Sequence, residues 1–223
     1  VTGVQTCALP ISGVTLQALI DGGACAIGDK IFSGFALAAN TFSNVTQLDF
    51  SATDVSVAVD ATQRNPGFVF SLPPLSIGRD QLKEGQIKFS VAVVPGGGQI
   101  EDLSLTDSAT AQGVGSASVS GLLSNSSFAS IVTNAVQGEQ VCAPNCVPGT
   151  LAEVSFAPIS SLDVIAAILL NDNASNFPDP QGASLSAFTV NFSEVPEPGM
   201  LSLVASSLAL FACLAGRRRR SAA

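Results

Sequence analysis

The sequence predicts an all-β fold, an antiparallel β-sandwich of jelly-roll or immunoglobulin-like type, followed by a single C-terminal hydrophobic helix. Three observations predict it. Short runs alternate apolar and polar residues with the period of two that a half-buried strand requires. Proline and glycine clusters punctuate these runs at Asn65-Pro66-Gly67, Pro73-Pro74, Pro95-Gly96-Gly97-Gly98, Pro148-Gly149 and Pro178-Asp179-Pro180. Residues 199–216, GMLSLVASSLALFACLAG, carry no charge and run directly into Arg217, Arg218, Arg219 and Arg220.

The elements follow in chain order. Residues 1–11, VTGVQTCALPI, resemble the translation of a common short-read sequencing adapter. They are expected to be an artefact on a truncated gene fragment, which removes Cys7 from any cysteine argument and puts the true signal peptide upstream. The all-β domain is expected over residues 12–195. Residues 15–20 (TLQALI), stopped by Asp21-Gly22-Gly23, suit a short helix with a glycine terminator. Val55, Val57 and Val59 face one side of a strand. Phe68, Phe70 and Leu72 make a second run, and Ile87, Phe89, Val91 and Val93 a third. Weaker strands are expected at 103–105, 117–119 and around Val154 and Phe156, and a late one at Phe188, Val190 and Phe192. The nine-residue apolar run 162–170 (LDVIAAILL) fits a buried strand or a helix segment; no periodicity extends it, which favours strand. No solenoid or propeller repeat is present.

Composition narrows the function. The chain has 223 residues, enough for one sizeable domain and an appendage, with a mean hydropathy of +0.45. Four of its nine basic residues are the terminal arginines, so the rest sets five basic against 17 acidic residues. Such a body repels phosphate backbones, and no nucleic-acid partner is expected. Histidine, tryptophan and tyrosine are all absent. Without histidine there is no Ser-His or Cys-His nucleophile and no histidine metal site, so the expectation is a non-enzymatic protein with no catalytic residue, metal or cofactor. The thirteen phenylalanines are expected in the core.

Candidate sites are few. Cys142 and Cys146 flank a short Pro-containing loop and suit a local disulfide in an oxidising exterior; Cys25 paired with one of them is the alternative. Three such thiols leave one unpaired. Asn171-Asp172-Asn173 with Asp179, and Asp21 with Asp29, are the places where calcium would find oxygen ligands, though a solvated acidic surface accounts for them more simply. Glu101-Asp102 supplies one half of a glycosidase carboxylate pair without a visible second half. The Asn-x-Ser/Thr sites at Asn44, Asn125, Asn173 and Asn191 carry little weight.

The C-terminus is the most specific segment. Eighteen uncharged residues at about 1.5 Å each nearly cover a hydrocarbon core of about 30 Å, and the arginines fix their side in the cytoplasm, leaving the acidic body outside. Pro196-Glu197-Pro198 stands immediately before. This tripartite arrangement, residues 196–223, closely resembles the PEP-CTERM sorting signal. The resemblance implies an exosortase as partner, a transient membrane association through helix 199–216, and delivery from an inner-membrane precursor to the cell surface or extracellular matrix of a biofilm, with exopolysaccharide as a further partner. The body also resembles an ectodomain family found with such signals, carried by residues 15–35, Gly67-Phe68-Val69-Phe70, GQIKFSVAV with IEDLSL, GVGSASVS and FAPISSLDV; Gly28-Asp29-Lys30 is the most distinctive piece. That likeness implies secretion and an all-β fold, and no activity. The alternative is an extracellular polysaccharide- or calcium-binding module.

Overall fold

A computed structural model describes residues 5–6, 13–38, 46–47, 50–60, 66–77, 82–112, 115–125, 127–134, 146–147, 151–171 and 182–195. The elements are β1 (Gln5–Thr6), β2 (Val14–Thr15), α1 (Leu16–Gly22), β3 (Ala24–Ile27), β4 (Lys30–Ala38), β5 (Thr46–Gln47), β6 (Ser56–Asp60), β7 (Gly67–Ile77) and β8 (Leu82–Val93). They continue with β9 (Gln99–Gln112), β10 (Ser116–Leu123), β11 (Phe128–Asn134), β12 (Cys146–Val147), β13 (Ala152–Ile159), β14 (Ser161–Asn171) and β15 (Gly182–Val195). The larger sheet runs β1-β3-β4-β8-β14-β10-β11-β12, with β5 pairing β8 beyond the end of β4. The smaller runs β13-β9-β15-β7-β6-β2. All pairs between long strands are antiparallel, so the fold is an all-β sandwich.

Alternation builds the core. Ile87, Phe89 and Val91 on β8 and Val164, Ile168 and Leu170 on β14 turn inward from the larger sheet; Phe68, Phe70, Leu103, Leu105, Phe188, Val190 and Phe192 meet them from the smaller. The rings interlock. Phe32 meets Phe68 edge-on at 4.7 Å, Phe70 stacks on Phe188 at 4.9 Å, and Phe89 lies 6.2 Å from Phe192 across the layers. Such contacts add about 0.5–1.5 kcal/mol per pair beyond the area they bury.

The expected helix forms as α1. Thr15 caps it by accepting from the Ala18 N–H at 3.2 Å, and Gly23, at φ 80°, ends it. Leu16 and Leu19 seal one side of the core. The run 162–170 is strand β14, paired on both sides by β8 and β10. One separator is corrected: Pro73-Pro74 lies inside β7. Its pairing with β6 ends at Ser71, and opposite β15 the register jumps between Ser71 and Leu75, so neither proline faces a strand that needs its missing N–H. At the turn before β6, Ser51 donates its N–H and its hydroxyl to Asp54, each at 2.8 Å, and these bonds hold the Asp54 carboxyl below the usual aspartate range. The charged form is favoured in the fold, so this contribution is present above the ordinary aspartate pKa and fades as pH falls through the lowered one.

Among the described residues no helix is long and apolar enough to cross a membrane. The expected helix 199–216 lies outside them, as does Pro196 onward.

Two glycines separate steric need from convenience. A Cβ at Gly67 would collide with the Val190 carbonyl and the Asn191 backbone, because β7 and β15 meet there at close range. A Cβ at Gly22 would meet open space. Gly67→Ala is therefore expected to cost about 2 kcal/mol or more, a fall in Tm of roughly 5 °C, while Gly22→Ala gains up to about 0.5 kcal/mol; thermal denaturation followed by circular dichroism measures both.

Candidate functional site

Three turns converge at one pole of the sandwich. The first is the β3–β4 hairpin, where Ile27 pairs with Lys30 across the two-residue loop Gly28-Asp29, and Gly28 takes φ 61°. The second is the β8–β9 connection. Gly97 N–H donates to Val94 O at 2.9 Å, Val94 N–H to Asp29 O at 2.8 Å, and Gly98 N–H to Asp29 Oδ2 at 2.8 Å. The third is the β13–β14 corner, where Ser160 O accepts from Val93 N–H at 2.8 Å. The expected turn Pro95-Gly96-Gly97-Gly98 thus exists for a specific reason: a side chain at Gly97 would strike the Asp29 carboxylate.

Lys30 is fully buried, inward-facing like Phe32, and its Nζ donates to Asp29 Oδ1 at 3.2 Å. The Asp29 carboxylate is therefore divided between a buried ammonium and a backbone N–H of a distant loop. Sequence reasoning singled out Gly28-Asp29-Lys30 without seeing this clamp. The available signal was parity, since Lys30 shares the inward register of Phe32.

The last described residues of β15 lie at the same pole. β15 runs between β9 and β7 and ends with Val195 opposite Gln99, the residue after Gly98. Near that end the register shifts, with Ser193 opposite Asp102 and Glu194 opposite Ile100, leaving Glu101 as the extra residue of a bulge. The bulge presents Asp102 to Ser193. Oδ1 accepts from Ser193 N–H at 3.1 Å and Oδ2 from its hydroxyl. Asp102 is thus a hydrogen-bond acceptor within the sheet.

The two carboxylates on the outer face of the larger sheet, Glu84 and Asp163, do not form a hydrolytic pair. On the outer face of the larger sheet Glu84 is buried; Oε1 accepts from Gln86 Nε2 at 3.5 Å, a weak bond, and Oε2 has no hydrogen-bond partner. Asp163 shares that face and accepts from Ser90 Oγ at 2.6 Å. Ser90 stands six residues along β8 from Glu84, about 20 Å at strand rise, which is too far for a glycosidase pair. Of the calcium candidates, Asp21 accepts from Gln17 Nε2 at 2.8 Å and Asp29 is in the clamp; Asn171 ends β14, and Asp172, Asn173 and Asp179 lie outside the described residues. Among the described residues no three His, Cys, Asp or Glu side chains gather as a metal site. Asn125 accepts from Ser127 N–H at 3.0 Å, and Asn191 donates to Asp60 at 2.9 Å within the sheet.

The cysteines divide likewise. Cys25 is buried on β3 and disulfide-bonded, so it is not the thiol left unpaired. Cys146 opens β12, six strands away in the sheet order, on the order of 20 Å or more, whereas bridged Cα atoms lie within about 7 Å. Cys146 is not the partner of Cys25. Cys142 lies outside the described residues, as do Pro196, Glu197, Pro198 and Arg217, Arg218, Arg219 and Arg220.

No protein-family model matches the chain, and no curated protein matches it. Among solved structures, a native family 12 xyloglucanase from Bacillus licheniformis aligns over 75% of this chain and 92% of its own, at 9% identity and a TM-score of 0.20.

The clamp is asymmetric, and substitutions expose this. Asp29→Ala removes a charge partner from a buried ammonium and the acceptor of the Gly98 N–H, with an expected loss of about 3 kcal/mol. Lys30→Met keeps the aliphatic bulk and leaves Asp29 bonded to Gly98, with an expected change of less than about 1.5 kcal/mol. Urea denaturation of the two variants measures the difference.

Proposed function

We propose that this chain is a non-enzymatic, exported bacterial surface or extracellular-matrix protein, sorted by an exosortase through its C-terminal tripartite signal. In this reading Pro196-Glu197-Pro198 is the processing segment, residues 199–216 form the hydrophobic helix of the membrane-bound precursor, and Arg217, Arg218, Arg219 and Arg220 hold the cytoplasmic side. The observation that carries it is the order of the segments along the chain: Val195, the last described residue of the central strand β15, is followed directly by the Pro-Glu-Pro motif, the uncharged run and the four arginines.

The lack of histidine supports a role without catalysis, as do the carboxylates of Asp29, Asp102 and Asp163, each engaged in a structural bond. Between residues 56 and 195 the long strands alternate largely between sheets, with β7, β9, β13 and β15 in one and β8, β10, β11 and β14 in the other, which favours the jelly-roll form over the immunoglobulin-like one. A polysaccharide-binding role is supported by one observation. The outer face of the smaller sheet carries paired hydroxyls, Thr110 with Ser184 at 2.6 Å and Thr106 opposite Thr189. Calorimetric titration with a panel of acidic and neutral exopolysaccharides tests it, and flat traces throughout would remove it.

Sorting is tested in an exosortase-bearing host with the full chain directed to export. Deleting Pro196, Glu197 and Pro198 is expected to leave a membrane-bound precursor that never converts to the released form. Conversion of the deletion at the rate of the intact chain would overturn the proposal.

A further inference from the structure

We propose that the hydroxyl face of the smaller sheet binds a neutral polysaccharide chain lengthwise along β9 and β15, and that it rejects acidic ones. The proposal rests on the polysaccharide-binding reading above and adds the class of the ligand and the track on which it lies. It is independent of sorting.

The track follows from register. β9 turns Ser104, Thr106, Ser108 and Thr110 outward, because Leu103 and Leu105 at the alternate positions fill the core. A hydroxyl therefore stands at every second residue over about 20 Å of strand. β15 lies alongside, with Thr189 opposite Thr106 and Ser184 opposite Thr110, and Ser76 of β7 continues the last row onto a third strand. Where Ala187 interrupts the file, a register shift brings in Ser186, whose hydroxyl donates to Ser108 O at 3.1 Å. Ser76, Ser108 and Thr110 are exposed. A ligand thus meets a shallow surface of short, hydroxyl-bearing side chains.

Hydroxyls in this arrangement suit one ligand chemistry. Each carries one donor and two acceptor lone pairs, so the bond between Thr110 and Ser184 at 2.6 Å leaves both with capacity for a further partner. A sugar hydroxyl offers the same two functions and can meet such a surface in either direction. A peptide would need a sheet edge to extend or a pocket for an anchoring side chain, whereas β15 has β9 on one side and β7 on the other and presents a face.

Charge selects among polysaccharides. The lysines of the chain, Lys30, Lys83 and Lys88, all lie on β4 or β8 of the larger sheet. Among the described residues the strands of the smaller sheet carry no basic side chain, while Asp102 stands at one end of the track and Glu153 of β13 lies opposite Ser104. A uronic-acid chain would face these carboxylates without a compensating cation. A neutral chain meets no such repulsion.

Isothermal titration of the full chain in detergent micelles tests the assignment, against soluble neutral glucans, mannans and galactans and against alginate, a uronic-acid polymer. Binding is expected to at least one neutral polymer and not to alginate. Thr106→Val and Thr189→Val each remove one outward hydroxyl and keep the branched shape that strands favour, so the fold and its Tm are kept. Each is expected to weaken binding about fivefold, the contribution of one net hydrogen bond. Ser118→Ala, on the outward side of β10 in the larger sheet, is expected to bind as wild type. Neutral binding that both valine variants leave unchanged overturns the track and leaves the polysaccharide reading standing. Equal weakening by Ser118→Ala overturns the track as well. Alginate bound as tightly as the neutral polymers overturns the charge selection. Flat traces with every polymer remove the polysaccharide reading and this assignment together, and none of these results bears on the sorting test.

Discussion

A lysine ammonium with no exposed surface needs a compensating charge, and the division of the Asp29 carboxylate between Lys30 and Gly98 N–H organises one pole of this sandwich. Desolvating an ammonium costs several kcal/mol unless charge and hydrogen bonds answer it. Because Asp29 sits in a two-residue hairpin loop, its position is fixed by the register of β3 on β4. Because its other oxygen takes an N–H of the β8–β9 connection, that connection must pass within reach and must carry glycine at position 97. The clamp thus joins an early hairpin to the crossing between the two sheets, a contact separated by 69 positions in sequence.

The consequences extend to the end of the domain. β9 begins immediately after the clamped Gly98, and its first residue, Gln99, pairs with the last residue of β15. The position of the last described residues of β15 is therefore set by the same pole, where the bulge at Glu101 turns Asp102 toward Ser193 and Phe192 anchors the strand in the core.

Most of the fold was legible because burial imposes a period. Val57, Phe68, Phe89 and Val190 announce inward faces by alternation alone, and Thr15 with Gly23 marks both ends of α1. What stayed hidden depended on partners distant in sequence. Pro73-Pro74 reads as a break, yet it continues β7 because β6 ends at Ser71 and β15 shifts register opposite. β4 was obscured by Lys30 at its start, a charged residue at an inward position that pairs there with Asp29. Asp102 looked like half of a catalytic pair, and its acceptor role depends on Ser193, 91 positions away. The fate of Cys25 likewise turns on strand order, which spacing between cysteines does not encode.

The central proposal is that the chain is severed at the Pro196-Glu197-Pro198 segment that follows β15. Sequencing the C-terminal peptide of the mature protein recovered from outside an exosortase-bearing cell tests this most directly. The account expects a terminus, free or joined to an acceptor, within residues 195–199 and no peptide from residues 200–216. Mature extracellular protein that retains the apolar segment and Arg217, Arg218, Arg219 and Arg220 would contradict it.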